Sequence, residues 1–276
     1  GWMLAEIIVS LGDKLGEEIT QRVRHEIERR ILAPFFAKPD QFWWFKGTNN
    51  WNGVCNGAIG CMLLLLEEDQ ERLARRLALV LSGLEVFLDT AFEADGTSTE
   101  GPGYWAYGLS TFIPFSEMLR RRTNAQLDLL STPRMRQIAT YPGNIMLSPG
   151  HFASFSDSHE ETAFAPGLIQ RLAERTGVPR LRDLLAPPAR LQLDADWRNI
   201  LWWDGRRPTQ ASVYDIWLKD GAVVRLTGAT PDGKPVVLVL ATGRPLVLTW
   251  ADSHVAAIVQ TFHGGIRASG CEAVRI

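Results

Sequence analysis

Along residues 4–36 the apolar side chains of Ile7, Ile8, Leu11, Leu15, Ile19, Val23, Ile27 and Ile31 recur three or four positions apart. That is the helical period, so the stretch predicts one long amphipathic helix. Gly12 and Gly16 are its candidate breaks, and Pro34 and Pro39 mark its end. A second helix is predicted over about 51–66, capped by Thr48, Asn49 or Asn50 and stopped by Glu67-Glu68-Asp69. A third, over about 70–92, puts Leu73, Leu77, Val80, Leu81, Leu84 and Leu88 on one side and Arg72, Arg75 and Arg76 elsewhere. Short connections of this kind make antiparallel neighbours.

The Gly/Pro-rich stretch 95–108 predicts a loop, followed by a helix over 109–122 and a weaker one over 124–130. Residues 131–160 mix Pro, Gly and Ser with aromatic and polar residues and predict a long loop, the kind that often carries function. Pro166 stands where a first helical residue would, opening a helix to Thr176 that Gly177 and Pro179 stop. Residues 181–185 add a turn before Pro187-Pro188. Beyond about 196 the period changes. Residues 213–218, 222–226 and 235–240 are short β-branched or aromatic runs, and Thr230-Pro-Asp-Gly233 predicts a hairpin turn between two of them. The expected fold class is therefore mainly α, with helices first and strands later, in two domains over 1–195 and 196–276.

Composition narrows the partners. With 29 Lys+Arg against 31 Asp+Glu in 276 residues, the chain lacks the basic excess that nucleic-acid binding draws on. The tract Arg120-Arg121-Arg122 reads as a solvated helix face. The apolar run 61–66 is far short of the ~20 residues that cross a bilayer. No nucleic-acid partner and no membrane-spanning segment are expected. Cys55, Cys61 and Cys271 are odd in number, without CxxC or zinc spacing, so neither a metal site nor a cofactor is expected, and Cys55 and Cys61 read as small buried hydrophobes. Gly1-Trp2-Met3 leads directly into helical sequence, and compartment and oligomeric state stay unread.

The candidate chemistry sits in Trp43-Trp44, Thr48-Asn-Asn-Trp-Asn-Gly-Val-Cys-Asn56, Asp95-Gly96 and Glu100-Gly-Pro-Gly-Tyr-Trp-Ala-Tyr-Gly108. Aromatic faces beside amides and hydroxyls suit sugar rings, which have apolar C–H faces and polar edges. The alternative for Trp43 and Trp44 is a place in the core. These segments, in this order and with Phe155-Ser-Asp157 after them, resemble the heparinase II/III-like polysaccharide lyases, a family that includes alginate and oligoalginate lyases. The resemblance covers about residues 10–205. It implies an incomplete α/α toroid of helical hairpins followed by the start of an antiparallel β-sandwich, truncated relative to the family at both ends. It also implies β-elimination on an acidic, uronic-acid-containing polysaccharide or oligosaccharide, in a periplasmic or secreted setting.

The reaction explains the residue types. The C5 proton of a uronate becomes removable only if its carboxylate charge is neutralised, and an amide can do so by hydrogen bonding. By the resemblance Asn50 is that amide. A base then takes the C5 proton and an acid protonates the departing O4. Tyr104 occupies the tyrosine position of the glycine-rich motif, with Tyr107 as the fallback. A phenol, with a reference pKa near 10, needs a cation or strong hydrogen bonds to act as base at neutral pH. Trp51, Glu100, Trp105, Tyr107 and His159 are the expected substrate contacts. The plainer readings are Asn50 as a helix N-cap, Tyr104 as a packed loop aromatic, and Asp95 and Glu100 as loop-ordering carboxylates. Where many family members carry a histidine after the motif asparagine this chain has Trp51, and Asp252-Ser-His254 with His263 matches the family's later histidine motif poorly. Two further functions therefore stand beside the lyase: a glycoside hydrolase using Asp95 and Glu100, and a carbohydrate-binding toroid without catalysis.

Overall fold

Gly16 decides how the first predicted helix folds. A computed structural model describes residues 1–194 and 196–208, together with the backbone of four short strands beyond them. In it the N-terminal stretch is two helices, α1 (Trp2–Leu15) and α2 (Glu17–Ile27), hinged at Gly16 with φ +81°. A π turn (Glu28–Leu32) and α3 (Ala33–Ala37) continue α2. Pro34 does not end the helix: it stands at the second residue of α3, directly after the π turn, and the helix runs on to Ala37. Pro39 follows the true end.

The chain is mainly helical and divides into two compact units, one of Gly1–Glu100 with Tyr104–Ile138, the other of Gly101–Gly103 with Ala139–Ile276. The change from helical to strand pattern near residue 196 falls within the second unit. In the first unit, α4 (Asn50–Leu66) and α5 (Gln70–Thr90) form the expected antiparallel pair, with Asp69 capping α5 through the Arg72 N–H. The next helix starts seven residues before its expected position. α6 spans Pro102–Arg122, so most of the glycine-rich motif is helix, not loop.

That correction has a packing cause. A Cβ on Gly53 would lie 2.8 Å from the carbonyl oxygen of Gly108, and one on Gly57 would lie 2.9 Å from the carbonyl carbon of Thr111. Gly60, one turn further on, leaves room for the Phe115 ring. Since contacts advance together along both helices, α4 and α6 run parallel in backbone-close contact, and the Thr111 hydroxyl donates to the carbonyls of Gly53 and Val54. The glycines of α4 are there for this approach. Side chains of Trp105, Leu109, Phe112, Phe115 and Leu119 fill the core beneath α6.

Two further expectations fail. Residues 124–130 form turns, with Asn124 and Ala125 at positive φ. Within the predicted long loop 131–160 lie α7 (Pro133–Ile145) and an antiparallel pair, β1 (Met146–Ser148) and β2 (His151–Phe152). Pro133, read as a loop residue, opens α7 at its first position. The second unit also holds α8 (Pro166–Thr176), bounded as predicted, a 3-10 segment (Pro179–Leu185) and α9 (Trp197–Trp202). Antiparallel pairing then joins β3 (Tyr214–Trp217) to β4 (Val223–Leu226), and β5 (Val236–Val239) to β6 (Pro245–Leu248). The turn at 230–233, His254, His263 and Cys271 lie outside the described residues. Among the described residues no helix is long and apolar enough to cross a membrane.

Candidate functional site

Parallel packing of α4 on α6 sets the first turn of α4 against Gly108, and Asn50 reaches Glu100, so the two motifs meet within the first unit. The asparagines of the first motif do different jobs. Asn49, not Asn50, caps α4, its Oδ1 accepting the Trp51 N–H at 3.1 Å. Asn50 is the first helical residue and is buried. Its Nδ2 donates to Glu100 Oε2 at 2.9 Å and its backbone N–H donates to the same oxygen at 3.4 Å. Asn50 Oδ1 is buried and without a hydrogen-bond partner.

Asn52 and Asn56 stand one helical turn apart, and neither reaches the surface. Asn56 Nδ2 donates to Asn52 Oδ1 at 2.8 Å and to the Phe45 carbonyl at 3.0 Å, and Asn52 Nδ2 donates to the Gly47 carbonyl at 2.9 Å. This ladder pins the 42–47 loop to α4 and separates the two tryptophans it carries. Trp44 stacks on Phe35 with centroids 5.1 Å apart, while Trp43 is exposed and lies edge-on to Trp51, 6.1 Å away. Trp51 in turn lies edge-on to Tyr107, again at 6.1 Å. Trp43, Trp51 and Tyr107 thus form a continuous exposed aromatic shelf.

On α6, Tyr104 and Tyr107 are three residues apart and so share a face, both exposed (39% and 44%). Trp105 points the other way. It is 2% exposed and its Nε1–H donates to the Ile138 carbonyl at 2.9 Å, so it is a core side chain and drops out of the expected ligand contacts. Gly101 precedes the helix at φ +89°, a conformation that side chains rarely adopt, and a Cβ there would fall 2.5 Å from Ser158 Oγ.

Carboxylates bear on the hydrolase alternative. Asp95 accepts the Thr97 N–H at 2.9 Å, and that backbone bond first, then the Thr97 hydroxyl, holds its carboxyl below the ordinary value. A hydrolase acid needs the opposite shift. Glu100, the other member of that pair, is engaged by Asn50. His159 is exposed in the second unit, where the neighbouring His151 has Nδ1 3.7 Å from Glu160 Oε1. Burial pushes the Cys55 thiol up to about 11, which leaves it un-ionised and unreactive at neutral pH. Among the described residues no group of three or more His, Cys, Asp or Glu side chains is placed to hold a metal ion.

No family model matches this chain, and no curated protein matches it either. The site therefore rests on its geometry. The motif contains Asn52 and Asn56, but its residue pattern alone assigns them no task. The available signal was two asparagines four apart on an otherwise apolar helix, since buried amides in such a setting are hydrogen-bonded to something specific. A buried phenol on α7, Tyr141, was also passed over. Its hydroxyl has no hydrogen-bond partner, and desolvation raises its pKa well above the ordinary phenol value.

Proposed function

We propose that this chain is a polysaccharide lyase of the heparinase II/III-like type that cleaves a uronate-containing glycan by β-elimination. One observation carries the reading. The buried Asn50 amide and the exposed phenols of Tyr104 and Tyr107 stand at one end of two parallel helices, beside the exposed shelf of Trp43 and Trp51. An amide has two N–H donors. Glu100 takes one of Asn50's, and the other meets the uronate carboxylate and stabilises the charge that grows there as the C5 proton leaves. Tyr104 acts on that proton and on the leaving O4: the C5–H bond breaks, C4=C5 forms, C4–O4 breaks and O4 gains a proton. The shelf takes the apolar faces of neighbouring sugars. The finer architecture, an incomplete α/α toroid with the start of an antiparallel β-sandwich, is part of this proposal. The antiparallel α4–α5 hairpin, the parallel α4 and α6, and the antiparallel pairs β3–β4 and β5–β6 support it.

A second reading, glycan binding without turnover, is favoured by one feature: Trp51 fills the place after the motif asparagine where many family members carry a histidine, so an imidazole base is missing there. Absorbance near 235 nm, which follows the unsaturated uronate, separates the two on alginate, heparin, heparan, hyaluronan and glucuronan. A rise on one of them that Tyr104→Phe abolishes supports the lyase. Retention of a glycan without any rise gives the binding reading, and retention of none removes both.

A further inference from the structure

We infer that Glu100 is a positioning residue for Asn50 and for the start of α6, and not a sugar contact. The inference rests on the lyase reading. An asparagine amide has two orientations, with Nδ2 and Oδ1 exchanged, and its partners select between them. Here the choice falls to Glu100. Asn50 Oδ1 has no partner that would fix it, whereas Glu100 Oε2 lies 2.9 Å from Nδ2. An ionised carboxylate only accepts, so it admits the N–H side of the amide and repels the carbonyl side. Burial of Asn50 removes water as a competing partner.

The consequence for chemistry is direct. With Nδ2 held by Glu100, the second N–H of the same nitrogen is the donor left, on the lyase reading, for a substrate carboxylate, which must reach an amide that is only 4% exposed. In the turned amide a carbonyl oxygen would oppose that carboxylate. Glu100 also accepts the Asn50 backbone N–H at 3.4 Å, so the carboxylate is tied to the first residue of α4 by two donors. Along the chain it stands two residues before α6 begins and four before Tyr104. One side chain therefore links the amide that neutralises charge to the helix that carries the acid/base phenol. Misplacement of about 1 Å at a reacting group costs on the order of 100-fold in rate, which makes such a link consequential.

The test compares Glu100→Ala and Glu100→Gln with the wild-type chain at 235 nm, on whichever glycan of the panel the wild type cleaves. Positioning predicts that Glu100→Ala lowers kcat by about tenfold or more with KM changed less than about twofold. Glu100→Gln, whose NH2 can equally turn toward Asn50 Oδ1 and so no longer selects between the two orientations, recovers only part of the rate. A raised KM with kcat retained means that Glu100 touches the sugar, and overturns the inference. Equal rates per folded molecule for all three chains overturn it as well. Should Glu100→Ala not fold, Glu100→Asp, which withdraws the carboxylate by one methylene, is expected to show the same fall in kcat. If the wild type cleaves nothing, the lyase reading fails by itself. The positioning claim is then decided by the Asn50 side-chain NH2 resonances, assigned by their loss in Asn50→Ala. A shift of that pair in Glu100→Ala supports it, and an unmoved pair overturns it.

Discussion

Two faces of the same helical turns are built from the same residue types and serve opposite ends. On the outer face Trp51, Tyr104 and Tyr107 keep large aromatic surfaces in water, with Trp43 beside them. On the inner face Trp105 gives its ring to the core and its N–H to a backbone carbonyl, and Asn52 and Asn56 spend their amides on the 42–47 loop. Folding explains most of the inner face: the Trp105 ring is packed and its N–H bonded, and the Asn52 and Asn56 NH2 groups are bonded, while Asn56 Oδ1 is buried without a partner. It does not explain the outer one. A contiguous set of exposed aromatic rings has a free-energy cost in water that the fold itself does not offset, and it is the ground for the proposed glycan contact. Within each motif, then, some residues build the scaffold while others keep their rings in water.

The largest expected effect falls on the outer face and on rate alone. Tyr104→Phe should lower elimination at 235 nm by about 10²–10⁴-fold, the usual worth of a positioned acid/base, with the melting temperature unchanged. An active Tyr104→Phe chain would move the role to Tyr107. Trp105→Ala tests the inner face and should cost about 3–5 kcal/mol of unfolding free energy in a urea titration. If Trp105→Ala instead left stability intact and weakened glycan binding, the division between the faces would be wrong.

Gly57→Ala comes next. Its new Cβ would stand 2.8 Å from Thr111 Oγ1 and 2.9 Å from the Thr111 carbonyl carbon, so α4 and α6 must separate. Overpacking of this kind costs about 1–3 kcal/mol. Because the separation reaches the helix starts, the rate should fall too, which no independent pair of sites would show. Trp51→Ala should be milder, weakening glycan affinity by about 0.5–1.5 kcal/mol in calorimetry while stability holds.

How much of this was legible depends on which physics set each element. α8 was readable to the residue because local signals bound it, Pro166 at its first position and Gly177 in the left-handed conformation after it. α6 was misread because Gly101, Gly103 and Gly108 look like loop residues. Gly108 in fact sits where a Cβ would fall 3.3 Å from Asn50 Cβ, a tertiary requirement that no local pattern displays. α7 was lost for a related reason: Pro142 inside it argues against a helix, and packing overrides that preference. At the site, the motifs singled out Asn50, Trp51, Tyr104 and Tyr107, and all four stand at the joined helix starts. Trp105 was misassigned since a motif names residues and not the faces they point to. The plainer reading of Asn50 as a helix cap fails, because Asn49 supplies the cap through its hydrogen bond from Trp51.

The smallest effect belongs to Asp95, and it sharpens the contrast between scaffold and site. The Thr97 N–H, then the Thr97 hydroxyl, hold this almost fully exposed carboxylate below its ordinary pKa. A depressed carboxylate stabilises the fold above its unfolded pKa, near 3.9, and that contribution is lost as pH falls through the lower folded value. Solvent screening keeps it small. Asp95→Asn should therefore leave activity at neutral pH as it was and lower the melting temperature slightly at pH 7. At pH 3 and below, as the wild-type carboxylate itself protonates, the two melting temperatures should converge. The same variant decides a chemical question. In a two-carboxylate hydrolase Asp95 would be one of the pair, and Asp95→Asn would abolish turnover of whichever glycan is cleaved. Full activity in Asp95→Asn with none in Tyr104→Phe assigns the bond cleavage to the phenol on the outer face of α6 and leaves Asp95 to the turn it orders.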